Sequence, residues 1–343
     1  MTNGSGPPVK WGWATRCVPS GDLGNLSLGQ DPPRIGDLAV GRVVSIGRHT
    51  RIEGRQWRRL ELFPDDLVGG VFGNRYATDQ FEGYVEPFGK NFHILGIGGV
   101  FGIVRSQNAR MPEPPTVMQL LGYVARPDGS RLSMLDYGLP RTKIQLNGGP
   151  PCRTILVVGS SMNSGKTTAV AYTVLGLTRA GHKVCAAKLT GTACAKDPGI
   201  FVDAGAHSVL DFSDCGWPST YLTSLTDLLD IYARVRAAML RDRPDFIVLE
   251  VADGIWQRET EMLLTSAEFH ATIEAVIFTG ADSVSAESGV RRLRELGYRV
   301  AAVSGLVSSS TLGMNEVSHA THLPCLSKAS LANGALQSIL FEG

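Results

Sequence analysis

The stretch VVGSSMNSGKTTAV, residues 157–170, is where this chain of 343 residues gathers groups suited to one kind of chemistry. A tight glycine loop backed by a helix N-terminus presents a row of backbone N–H groups to an anion. Gly165 lets the backbone approach a polyphosphate closely, Lys166 reaches the β- and γ-phosphates, and the Thr167 hydroxyl takes magnesium. Ser160, Ser161, Asn163, Ser164 and Thr168 complete the cradle. The flanks agree, because TILVV before the loop reads as a buried strand and GKTTAVAYTVLGL after it as a helix. One feature is offset: the pattern G-x-x-x-x-G-K-[ST] calls for its first glycine at position 160, where Ser160 stands, with Gly159 one place earlier.

Other acids and bases are placed to work with such a loop. DFIVLEVADG ends a buried strand on Glu250, with Asp253 close behind. A carboxylate at the tip of the strand next to the loop's own strand is where P-loop folds hold magnesium, so Thr167, Glu250 and one acid from 197–214 form the expected metal set. Asp197, Asp203, Asp211 and Asp214 crowd that segment, and Asp211 is the preferred ligand. VIFTGADS sets Thr279 and Asp282 after a later strand in the shape T-x-x-D, a base-contacting position that lacks the lysine of a full guanine motif. Asp282 serves equally well as a helix N-cap there. ATP is therefore preferred, with GTP left open.

The spacing G-x5-G-K-[ST] resembles the loop of dethiobiotin synthetase and of the cobyrinic and cobyric acid synthases, in which a glycine ends the strand and a small hydroxyl residue follows, as Gly159 and Ser160 do here. The run AAKLTGTACAKDPGIFVDAGAHSVLDFSD also resembles the P-loop family that includes D-glutamate N-acetyltransferases, and the likeness covers about residues 153–330. Dethiobiotin synthetase carries a magnesium-binding Asp where this chain has Ser161, and dimer-switch ATPases of the MinD type carry a lysine there. The resemblance implies that Lys188, ending the strand in AAKLTG, faces the phosphates or a substrate carboxylate. It implies catalysis by Lys166, Lys188 and Glu250 in an Mg-ATP-dependent kinase or ligase. An acyl-CoA N-acyltransferase using the same loop, and a regulatory or assembly NTPase, remain as alternatives.

These residues need a scaffold, and the pattern of the chain supplies two. Residues 35–146 run in short alternating segments such as DLAVGRVVSIG, WRRLELF, LVGGVFG, NFHILGIGG, VMQLLGYVA and RLSMLDYG, which predict a small all-β, barrel-like domain. NGGPP marks a linker over 147–152, and residues 1–34 read as an extended or poorly ordered segment. From 153 to 343 strands alternate with longer helices, ending in one near 327–341, which predicts a three-layer α/β/α domain with a mostly parallel sheet.

Composition narrows the remaining classes. With 43% hydrophobic and 19% charged residues the chain can build two cores, so wholesale disorder is excluded. No apolar run predicts a signal peptide or membrane span, and the six cysteines lack C-x-x-C spacing, so a cytoplasmic protein with reduced thiols is expected. A net charge of +1 does not favour nucleic acid as a partner. The expected partner is a small anionic molecule, the expected assembly a homo-oligomer. Arg42, Arg48, Arg51, Arg55, Arg58 and Arg59, with Trp57 among them, form a basic and aromatic cluster that could grip nucleic acid or a phosphate-bearing substrate, a solvated strand face being the commoner role.

Overall fold

The computed structural model describes residues 8–29, 31–144 and 152–341. By internal contacts the chain divides into two units. The first holds the described part of Met1–Leu139 together with Thr192–Ala195 and Phe212–Tyr221; the second holds Pro140–Gly191, Lys196–Asp211 and Leu222–Gly343 in their described parts. The linker expected at 147–152 falls outside the described residues except for Cys152.

The strands of the first unit are β1 (Lys10–Trp11), β2 (Leu26–Ser27), β3 (Leu38–Ser45), β4 (Arg51–Glu53), β5 (Arg59–Glu61), β6 (Leu67–Phe72), β7 (Phe81–Tyr84), β8 (Asn91–Gly96), β9 (Val100–Gln107) and β10 (Val117–Val124). β6, β3, β10, β8 and β9 pair in that order, and β9 returns to pair with β6, so the sheet closes into a barrel. Closure removes the free edges that an open sheet would expose. Inward residues of alternating strands fill the barrel, chiefly Phe72, Phe92, Phe101, Met118 and Tyr123. β4 and β5 form a separate hairpin.

Three expectations for this unit need correcting. Residues 8–29 are not a loose lead-in: β1 pairs with β6, β2 with β10, and Trp13, Ala14, Val18 and Leu23 are buried. Two-residue strands are too short for alternation to reveal. RLSMLDYG is no strand but two isolated bridges, at Arg131 and Ser133, and a 3-10 turn over Met134–Asp136 capped by Ser133. The unit also claims two pieces of the C-terminal half. The Glu53 carboxylate accepts from the Ala195 N–H at 2.6 Å, Arg16 pairs with Asp214 at 2.8 Å, and a Cβ on Gly98 would lie 2.0 Å from the Ala193 carbonyl oxygen. Such long-range pairings leave no periodic trace in a sequence.

The second unit has strands β11 (Arg153–Gly159), β12 (Val184–Lys188), β13 (Ser208–Asp211), β14 (Phe246–Glu250), β15 (Ala275–Thr279) and β16 (Val300–Ser304), all parallel, in the order β13-β12-β14-β11-β15-β16. The helices are α1 (Lys166–Arg179), α2 (Lys196–Asp203), α3 (Leu225–Leu240), α4 (Arg258–Thr265), α5 (Ala267–His270), α6 (Ser283–Glu295), α7 (Thr311–Thr321), α8 (Lys328–Ala332) and α9 (Ala335–Phe341). β14, β15 and β16 are buried at every position, as strands covered on both faces must be. The fold is thus a three-layer α/β/α domain preceded by a small β barrel. The helix expected near 327–341 is broken into α8 and α9 at Gly334, whose φ of +81° suits glycine. No helix among the described residues is long and apolar enough to cross a membrane.

α1 carries the phosphate loop and must lie tightly on α8. A Cβ on Gly176 would fall 2.0 Å from the Leu331 carbonyl oxygen. Gly→Ala inside a helix ordinarily stabilises by about 1 kcal/mol. Gly176→Ala should do the reverse and destabilise by about 1–3 kcal/mol through overpacking, read as a lower urea midpoint. A raised midpoint would contradict this packing.

Candidate functional site

The register of the parallel sheet lines up the chemistry. Asp211 pairs with Lys188, Lys188 with Glu250 and Glu250 with Val157, while Gly159 pairs with Thr279 and Thr279 with Ser304. These positions are the C-terminal tips of the strands, where open α/β sheets bind ligands. β11 lies inside the sheet, with β14, β12 and β13 on one side and β15 and β16 on the other.

The offset glycine has a steric reason. A Cβ on Gly159 would lie 2.3 Å from both the Ser164 Oγ and the Thr279 Oγ1, so only glycine fits where the strand ends. Ser160 then fastens the loop sideways: its N–H donates to the Thr279 carbonyl at 2.9 Å and its hydroxyl accepts from the Ala281 N–H at 3.3 Å. Ser164 and Thr279 share a hydroxyl hydrogen bond of 2.8 Å, and the Leu306 N–H donates to the Ser164 carbonyl at 3.1 Å. Asn163 and Gly165 take left-handed backbone, φ +64° and +102°, which curls the chain just before α1 begins. On the other side the Ile255 N–H reaches the Gly159 carbonyl at 3.0 Å, and a Cβ on Gly254 would meet the Ser160 carbonyl at 2.5 Å.

Lys166 is buried and its Nζ donates to the Ser161 carbonyl at 2.7 Å, spanning the mouth of the loop. Burial pushes its ammonium down to about 8, against the pull of Glu250 and Asp253 and helped by Lys188. Asp253, at φ +61°, is pushed up to about 6, again chiefly by burial. Glu250 is 1% exposed; the Thr167 hydroxyl donates to its Oε1 at 3.1 Å, and Lys188 Nζ lies 3.2 Å from the same oxygen. Its Oε2 is buried without a hydrogen-bond partner. A carboxylate oxygen in that position, beside a threonine hydroxyl and a phosphate cradle, suits a hard divalent cation, so Thr167 and Glu250 fit magnesium.

The other expected residues fall as follows. Lys188 is brought to Glu250 and also pairs with Asp197, a partner that the crowding of acids flagged without singling out. Asp211 is buried on the far side of Lys188, two strand spacings or about 10 Å from Glu250. Among the described residues no three His, Cys, Asp or Glu gather into a metal cluster, so any magnesium here leans on phosphate and water for its remaining ligands. Asp203 is exposed at the end of α2, and Asp214 belongs to the first unit. Asp282 caps α6, accepting from the Ser285 N–H at 2.7 Å in a capping box, and Thr279 is spent on fastening the loop. Ser161 and Asn163 are exposed at the mouth; Thr168 is half-buried in the first turn of α1.

A strand, a curled glycine loop, a buried lysine and a hydroxyl against a strand-tip carboxylate together make a P-loop nucleotide-binding fold. No protein-family model and no curated protein matches the chain. Among solved structures it is similar to the signal recognition particle 54 kDa protein of Aeropyrum pernix in complex with GDP (16% identity, 58% of this chain and 48% of that one, TM-score 0.38). It is similar to a DUF1611 family protein from Anabaena variabilis (12% identity, 60% and 62%, TM-score 0.41). A third is the signal recognition particle receptor FtsY of Elizabethkingia anophelis (14% identity, 55% and 55%, TM-score 0.33). The matched part thus spans less than two thirds of each of those chains, and only this chain's own loop geometry identifies its phosphate cradle.

Because burial holds the Lys166 ammonium at about 8 in the folded protein, against 10.5 otherwise, the charge at pH 7 is a cost to folding. Lys166→Met in the ligand-free protein should therefore gain about 2 kcal/mol at pH 7. The gain should shrink as pH rises from 8 towards 10.5, where the lysine of the unfolded chain also loses its proton. Urea unfolding at pH 7 and pH 10 measures both, and a variant less stable than wild type at pH 7 would contradict the assignment.

Proposed function

We propose that the second unit is an enzyme that uses Mg-ATP to phosphorylate a small anionic molecule or to activate its carboxylate for attack by an amine. Lys188 carries this reading. A nucleotide switch needs the loop, the metal and a positioned water, whereas here a second, half-buried ammonium stands near the phosphate lysine, held by Asp197 and Glu250. Two carboxylates fix its place. An anionic acceptor, or the oxygens of a phosphoryl group in transfer, would find in Lys188 a positioned point charge.

The residues divide the work. The backbone N–H groups of 165–168, where the loop passes into α1, would cradle the phosphates, and Lys166 would exchange the Ser161 carbonyl for the β- and γ-phosphates. Thr167 and Glu250 would hold magnesium, which supplies Lewis-acid neutralisation of the developing charge. Lys188 orients the acceptor. Preference for ATP rests on the missing lysine of the guanine motif and on the capping duty of Asp282.

The test is ADP release by the full-length protein against a panel of small carboxylates and alcohols. One of them should raise turnover at least tenfold. Lys188→Met should lower that stimulated rate by about 100-fold, the usual scale for losing one preorganised charge at a transferring group, with nucleotide affinity changed less than about threefold. Turnover raised only by a macromolecule, or unaltered in Lys188→Met, would favour the switch and sink the enzyme reading.

A further inference from the structure

We propose that the first unit bears a second binding site, separate from the phosphate loop: a groove for a small organic phosphate with an aromatic or apolar body. The groove has a volume of about 950 Å³ and runs between residues 8–11, the β4–β5 hairpin and Phe63. That is the upper end of the range for small-molecule sites.

Its charge is unusual in not being cancelled. Five cations line it, and two are already taken: Lys10 pairs with Asp66 and Arg16 with Asp214. The remaining three are Arg55, Arg58 and Arg59. Arg55 is half-buried, and its guanidinium bonds to neutral oxygens, the carbonyls of Arg16 and Val18 and the hydroxyl of Ser20. Arg58 and Arg59 are exposed and form no ion pair among the described residues. Glu61 is the acid in the lining, and Arg51 stands 3.6 Å from it. Arg55, Arg58 and Arg59 thus line the groove with Glu61 as its acid, and this surplus of guanidiniums matches a doubly charged phosphate monoester, which arginine forks grip in two-point contacts.

The other wall is apolar and held rigid. Trp11 is pressed onto β6 where Gly69 leaves no space, since a Cβ there would lie 2.2 Å from the indole ring. Phe63 is 62% exposed, an uncovered phenyl beside the arginines. The hairpin turn is closed by the Gly54 N–H bonded to the Arg58 carbonyl and the Arg58 side of the turn is set by Trp57, which adopts φ +66° and packs on Trp13 at 4.4 Å between centroids. A bulky residue in left-handed backbone persists where its surroundings enforce it. A bounded groove in a chain of net charge +1 suits a small molecule better than a nucleic-acid strand, which needs a longer basic track.

Equilibrium dialysis of the full-length protein with 1-naphthyl phosphate tests the proposal. Wild type should bind one probe per chain. Arg58→Gln combined with Arg59→Gln, both exposed and harmless to the fold, should weaken binding at least tenfold, while Lys166→Met should leave it unchanged and 1-naphthol should bind at least tenfold more weakly. Absence of binding at millimolar probe, equal affinity in the double variant, or loss in Lys166→Met with retention in the double variant would each overturn the groove. Displacement of the probe by submicromolar oligothymidylate through the same two arginines would replace the small organic phosphate with single-stranded nucleic acid. The outcome is independent of whether the second unit transfers phosphoryl groups.

Discussion

A lysine ammonium kept out of water must be met by oxygen, and the second unit is arranged around that demand. Lys166 has one carbonyl, Ser161, within hydrogen-bond reach and three carboxylates, Glu250, Asp253 and Asp197, near enough to pull on its charge, yet burial still prevails and lowers its proton affinity. The site is thus under-supplied with negative charge at one point and carries an unpartnered carboxylate oxygen, on Glu250, at another. A metal-bound polyphosphate would resolve both deficits together. Everything else follows from holding these groups still: parallel register sets Lys188 and Glu250 side by side, and the hydroxyls of Ser160, Ser164 and Thr279 fasten the loop to the sheet.

Much of this was legible in the chain. The switch from short alternating runs to alternating strands and helices separated barrel from sheet, because burial on one face or both leaves different hydrophobic periods. The loop itself was legible, offset included. What the sequence could not disclose was why Gly159 stands early: the reason is a contact with Thr279, 120 residues away, that any Cβ would violate. Asp197 was one acid among four until β12 and α2 were placed and Lys188 paired with it. Asp282 had two readings of equal standing, and the capping box at α6 supplies a complete structural duty for it.

Domain assignment shows the same limit from another side. Thr192–Ala195 and Phe212–Tyr221 belong to the barrel unit by their contacts although they lie between strands of the sheet unit in sequence. The pairings responsible, Glu53 with the Ala195 N–H and Arg16 with Asp214, join residues too far apart for local pattern to report. The residues of 8–29 were unreadable for a different reason, since their strands are two residues long and their order comes from burying Trp13 and Val18 rather than from propensity.

Calorimetric titration of the full-length protein with a non-hydrolysable ATP analogue and magnesium, wild type against Lys166→Met, tests the central claim most directly. If Lys166 is the counter-charge that the loop holds ready for phosphate, wild type binds one analogue per chain and the variant binds at least about 100-fold more weakly, in line with roughly 3 kcal/mol for removing one partner of a buried charge pair. Equal affinity in the two proteins would contradict it.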